Sequence, residues 1–176
     1  YTYPDTVDEH LIDTLRNEPK VCEYLDLPLQ HINARLLKRM NRRGNPDTVR
    51  DLLRNCRKNG MFLRTTFIVG FPGETEEEFE ELKEFVKEIQ FDRMGAFTYS
   101  PEEGTPAASM PDQIPEEIKQ RRLDELMTIQ QQISLERNKM RVGKTYEVLV
   151  EGFEGLTNYG RSKLEAPEID GKIFFI

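Results

Sequence analysis

The sequence is poor in the residues that build cross-links and metal clusters. Its 176 residues contain two cysteines, Cys22 and Cys56, and two histidines, His10 and His31. Two cysteines exclude a disulfide scaffold, and two free thiols fit a reducing, cytoplasmic compartment. No apolar run approaches the roughly 20 residues that a membrane-spanning helix needs. An excess of positive charge is also missing. With 25 Lys+Arg against 32 Asp+Glu the formal net charge is −7, which excludes a protein that wraps DNA by charge. Neither a membrane nor DNA is therefore expected as a partner. There is no initiator Met and no signal-peptide pattern. The sequence opens at Tyr1 inside a stretch that reads as structured, so more chain is expected before it.

What is present is ordinary for a globular domain: 37% apolar and 32% charged residues. The length fits one domain, or one domain and part of a second. Charge is segregated. Asn33 to Arg64 carries ten basic residues and two acids, and Glu74 to Asp92 carries nine acids and two lysines. Two solvated helix faces of opposite sign are expected, or, for the basic block, contact with an anionic partner such as a ribosome.

Periodicity predicts a helix over Val7–Asn17 capped by Asp5 or Thr6, and a strand over Val21–Leu29. A helix capped by Asn33 follows, then one begun at Asn45-Pro46 with Val49, Leu52, Leu53 and Cys56 on one face. Leu63–Val69 reads as a strand. The next helix opens with a capping box, Thr75 to Glu78, and buries Phe79, Leu82, Val86 and Ile89. Met94–Tyr99 is a third strand. A long helix, Glu116 to about Met140, then carries Ile118, Leu123, Leu126, Ile129 and Ile133 inside. After Gly143 the period changes to alternation at Tyr146, Val148 and Val150, with two further short strands near Asn158 and over Lys172–Ile176. The fold class is thus α/β with parallel strands over residues 1–138, followed by the start of a small antiparallel β module over residues 139–176.

Ligands bind at the carboxyl ends of parallel strands. The three ends here are Asp26 to His31, Ile68 to Glu74 and Gly95 to Pro101. Gly70 and Gly73 allow bare backbone to approach a ligand, although no Gly-Lys-Ser/Thr follows and the turn is not a P-loop. His31 stands at a strand end. Both cysteines sit in apolar settings and are expected to be buried, and His10 is expected to be solvated. The residues alone define no nucleophile–base pair, metal-ligand cluster or carboxylate pair. They point to a nucleotide-like ligand site without a reaction.

Three blocks go further. Tyr24-Leu25-Asp26-Leu27-Pro28-Leu29-Gln30-His31 with Leu37-Lys38-Arg39-Met40-Asn41-Arg42 resembles the methylthiotransferases of the radical S-adenosylmethionine superfamily. So do Leu63 through Thr75 and Phe97 through Ala107. The resemblance implies the second half of a six-stranded partial (β/α)6 barrel, joined by the long helix to the first part of a TRAM module, a small OB-like barrel. It implies S-adenosylmethionine and two 4Fe–4S clusters as cofactors, with all cluster ligands outside this chain, so that the chain alone is inert. In this family one cluster reduces S-adenosylmethionine to methionine and a 5′-deoxyadenosyl radical, which takes a hydrogen from the target carbon. The second cluster supplies sulfur and a second S-adenosylmethionine the methyl group.

By motif position, Gln30 and His31 fall toward the cofactor's ribose or methionine end. Ile68 and Gly70 fall against adenine, with Phe97 and Tyr99 beside them, and Arg64 falls near the cofactor carboxylate or a substrate acid. Gln30-His31-Ile32-Asn33 replaces the Gln-Ser-Gly usual in the tRNA-modifying siblings. With Tyr159-Gly160-Arg161-Ser162 and Glu165 to Gly171, it resembles the branch that methylthiolates an aspartate β-carbon of a small-subunit ribosomal protein. The partners implied are that protein or the ribosome, and an electron donor. Arg161, Glu165 and Asp170 are the target-binding residues this implies. The alternatives are a tRNA-adenosine methylthiotransferase and a non-catalytic ribosome-binding module.

Overall fold

The computed structural model describes residues 2–176. A 3₁₀ turn, Pro4–Thr6, precedes α1 (Glu9–Asn17), which Asp8 caps by accepting from the Leu11 amide at 2.8 Å. The cap lies later than expected because Pro4 diverts Asp5 and Thr6 into the turn. Strands β1 (Tyr24–Asp26), β2 (Phe62–Val69) and β3 (Arg93–Thr98) form one parallel sheet in that order. Helices α2 (Ala34–Arg39) and α3 (Pro46–Lys58) link β1 to β2, and α4 (Glu76–Ile89) links β2 to β3. Helix α5 (Glu116–Lys139) then packs on β3, β2 and α4.

Alternation along β2 divides the sheet into two faces. Leu63, Thr65, Phe67 and Val69 are fully buried toward the helices, while Arg64, Thr66 and Ile68 point to the open face. On the helix side Phe67, Phe85 and Phe91 meet edge to face with centroids 5.9–6.3 Å apart. Val49, Leu53 and Cys56 of α3 and Phe79, Leu82, Val86 and Ile89 of α4 close this core. Burial pushes the Cys56 thiol up to about 11. Cys22, in contrast, is exposed: the expected strand over Val21–Leu29 begins only at Tyr24, and Cys22 lies in the turn before it.

The charged blocks meet each other. Arg35 pairs with Glu78 at 2.5 Å, Arg50 with Glu88 at 2.6 Å, Arg57 with Asp92 at 2.9 Å, and Arg54 also reaches Glu88. They are facing sides of adjoining helices rather than two separate solvated faces. Lys38, Arg39, Arg42 and Arg43 have no acidic partner among the described residues.

Helix α5 differs from its expected pattern. Its most buried side chains are Lys119, Arg122, Leu126 and Gln130, with Leu123, Ile129 and Ile133 only partly covered. The inner stripe is polar because it runs across strand ends and loop carbonyls. Lys119 donates to the Tyr99 carbonyl at 2.9 Å, and Gln130 to that of Phe91 at 2.8 Å.

The remaining strands, β4 (Leu149–Glu154), β5 (Thr157–Arg161) and β6 (Ile173–Phe175), form an antiparallel sheet. The alternation from Tyr146 yields a strand only from Leu149, since Tyr146 instead lies under the Arg141 guanidinium, 5.0 Å from its centroid. The turn between β5 and β6 packs on the start of the parallel sheet. Asp170 there accepts from Arg64 at 2.8 Å and from the Tyr24 hydroxyl at 3.2 Å, and lies 3.4 Å from Arg93.

Candidate functional site

The three parallel strands end side by side. Pro28 has no N–H to give the ladder, and the register changes there. Asp26 pairs with Arg64, whereas Gln30 pairs with Phe67, so four steps on one strand face three on the other. Gln30 re-enters the ladder at φ 68°, donating to the Thr66 carbonyl at 2.9 Å and accepting from the Ile68 amide at 2.8 Å. A left-handed glutamine clamped on both sides is a strained residue at a strand end. The Tyr99 amide donates to the Val69 carbonyl at 2.8 Å and aligns the third strand.

Above these ends lies a cleft of about 370 Å³. Its floor is Gln30, Ile68, Phe71 and Tyr99. One wall is Arg39 to Arg42 at the end of α2, and the other is Thr105 to Ala107 with Met110. The second wall belongs to the loop after β3, held by a 2.8 Å bond from the Gly73 amide to the Asp112 carbonyl. Phe71 meets Tyr99 edge on at 5.2 Å. The Tyr99 hydroxyl and Arg39 Nε are buried without a partner among the described residues, and such atoms call for a ligand or water. The lining thus offers a flat apolar surface, amide and hydroxyl groups, and two guanidinium groups for an anion.

Gln30, Ile68 and Tyr99 all line this one cleft. Phe97 pairs with Ile68 across β2–β3 and is 62% exposed on the open face, outside the cleft. Gly70 is buried with φ 72°, and a Cβ there would stand 2.3 Å from Lys119 Cγ. Its bare backbone makes room for this chain's own lysine.

His31 is fully buried beneath the floor. The Asn33 amide donates to its Nδ1 at 3.0 Å, which leaves Nε2–H to face Glu74 Oε1 at 3.1 Å. Arg64 lies near the start of β2, six residues or about 20 Å along the strand from Gly70. Asp170 and Asp26 take up its guanidinium. Its lateral neighbours are Asp26 and Arg93, and it lies away from the cleft at the strand ends.

The three expected target-binding residues also have internal partners. Arg161 pairs with Glu151 at 2.6 Å. Glu165 accepts from the Ser162 amide and hydroxyl and from Arg141. These bonds outweigh burial and hold its carboxyl below the usual range. Asp170 is the clamp on Arg64. Sequence reasoning missed Arg39 and Asn41 as lining residues, although both lie in the quoted Leu37–Arg42 block. Asn41, at φ 55°, follows a short helix whose end no periodicity marks.

Comparison with known proteins agrees with this geometry. The profile of the Radical SAM superfamily matches residues 1–86, and that of the TRAM domain matches residues 142–176. The solved archaeal Elp3 of Methanocaldococcus infernus shares the fold, with a TM-score of 0.50 and 16% identity over 76% of this chain and 31% of that one. The chain thus joins an α/β unit of the radical SAM type, with three parallel strands, to an antiparallel unit that the TRAM profile matches. A protein of Clostridium botulinum named ribosomal protein uS12 methylthiotransferase RimO is 52% identical over 99% of this chain and 40% of its own length. One of the same name from Geobacter sulfurreducens is 50% identical over the same shares. The chain is similar over nearly its whole length to these two proteins, and it spans about 40% of their length. S-adenosylmethionine and a 4Fe–4S cluster are the cofactors of the superfamily.

Proposed function

We propose that this chain supplies the S-adenosylmethionine end of an enzyme that methylthiolates the β-carbon of an aspartate in ribosomal protein uS12. The observation that carries this is the 52% identity, over 99% of the chain, to a protein named for that reaction. The cleft supports it through the chemistry of its donors. Ile68, Phe71 and Met110 offer a flat apolar bed for adenine. Gln30 and the orphaned Tyr99 hydroxyl suit ribose oxygens, and Arg39 with Arg42 suits a carboxylate. S-adenosylmethionine, when bound and reduced by the cluster, supplies the radical chemistry.

The work of this chain is to bind and orient. The strand ends fix the cofactor's direction, and the loop over Thr105–Met110 covers it from water. The cluster ligands belong to the rest of the protein, so the isolated chain is inactive. Two clusters, an external electron donor and a cytoplasmic location belong to the same reading, and no helix of the described residues is long and apolar enough to cross a membrane.

The test uses the full-length protein, reconstituted anaerobically with iron and sulfide. It is incubated with S-adenosylmethionine, a chemical reductant and a uS12 peptide containing the target aspartate. Tandem mass spectrometry should locate a methylthio group on that aspartate. Its absence, with modification of an adenosine in added tRNA instead, would replace this reading by the tRNA-modifying one.

A further inference from the structure

We infer that Glu74 is the positioning residue of the cleft, tying the ends of β1 and β2 to helix α5 without touching the ligand; the inference rests on the cofactor reading above. Its carboxylate has no exposed side-chain surface and uses both oxygens. Oε1 faces His31 Nε2 at 3.1 Å. Oε2 accepts from the Gly70 amide at 2.6 Å and from Arg122 Nη1 at 2.6 Å. Arg122, with a side chain 5% exposed, also donates to the Glu74 carbonyl at 3.1 Å and reaches Glu76 at 3.1 Å.

Each bond fixes a part of the cleft. His31 follows Gln30, whose backbone is held at φ 68°. Gly70, at φ 72°, ends the strand that carries Ile68. Arg122 lies one helical turn from Lys119, which fills the space behind Gly70 and donates to the Tyr99 carbonyl. Three of the four floor residues, Gln30, Ile68 and Tyr99, therefore depend on one carboxylate and the helix behind it. Glu74, His31 and Arg122 are absent from the cleft lining, so they act through other residues. His31, expected as a cofactor contact, serves here as an orienting arm. A buried carboxylate is costly unless paired and hydrogen-bonded, and removal of one partner leaves the others uncompensated. The network thus behaves as a unit, and a displaced floor loses affinity at a distance.

The experiment measures S-adenosylmethionine affinity by calorimetry on the reconstituted full-length protein, with near-UV circular dichroism as the check on packing. Glu74→Gln keeps the volume and removes the charge. Arg122→Lys keeps the charge and removes the fork. Each is expected to weaken binding about tenfold, the size of one charged hydrogen bond. The double variant is expected to lose less than the product of the two. Variants with native packing and affinity within about twofold of wild type would overturn the proposal and leave Glu74 a stability element only. If Glu74→Gln fails to fold, Arg122→Lys decides on the same criterion. A wild-type protein that binds no S-adenosylmethionine would instead refute the cofactor reading itself.

Discussion

Two left-handed residues, Gln30 and Gly70, sit at neighbouring strand ends for different reasons. Gly70 has no room for a side chain, because Lys119 occupies the place of a Cβ. Gly70→Ala combines that clash with an unfavourable φ, and about 2–4 kcal/mol of stability should be lost. Chemical denaturation measures it. Gln30 has room and pays only for its conformation. Gln30→Gly should therefore hold or raise stability by up to about 1 kcal/mol, while S-adenosylmethionine affinity falls. A parallel loss of both would show that the side chain supports the fold rather than the ligand.

Residue types at the strand ends were legible in the sequence; their directions were not. His31 and Gln30 are adjacent, yet one is buried under the floor and the other lines it. The extra residue opposite β2 that turns them follows from pairing with a strand more than thirty residues away.

At the scale of elements, capping signals were the most legible, because they depend on neighbours three residues apart. Asn33, Asn45 and Thr75 cap their helices as expected, and the Thr75–Glu78 box forms in full. Thr75→Ala should cost about 1 kcal/mol, read from the urea midpoint, and no change would mean that α4 is held by packing alone. Helix α5 was legible in extent but not in facing. Its apolar residues predict one inner stripe, whereas the strand ends beneath it demand donors, and Lys119, Arg122 and Gln130 supply them. The charge blocks show the same limit. Their composition is local, but their meeting across α2, α3 and α4 is tertiary.

For the whole molecule, the contact between the two sheets rests on Asp170. It has a side chain 3% exposed and stands 106 residues from Arg64, its principal partner. No pattern in the sequence joins two residues so far apart, and for that reason they were expected in different sites. Asp170→Asn removes the charge opposite Arg64 and Arg93 and should cost about 1.5–3 kcal/mol. Amide exchange should speed up over Ser162–Asp170 and not in α4; equal exchange in both would deny the clamp.

The turn that carries Asp170 also has a pH dependence of known sign. Glu165 is held below its ordinary value of about 4.5 by Ser162 and Arg141. Its contribution is therefore complete above that value and lost as pH falls through the lower, folded one. Exchange over the same turn should rise on acidification below about pH 4.5, and Glu165→Gln should remove that rise. The matches to the radical SAM and TRAM profiles fall on either side of α5.

We propose that in the full-length protein this cleft serves methylthiolation of a ribosomal-protein aspartate. Mass spectrometry on cells that lack the full-length gene, with and without its return, tests it most directly. The uS12 peptide should lose its methylthio group, the returned gene should restore it, and tRNA nucleosides should be unchanged. Loss of methylthio-adenosine from tRNA with an unchanged uS12 peptide would instead make the substrate a tRNA.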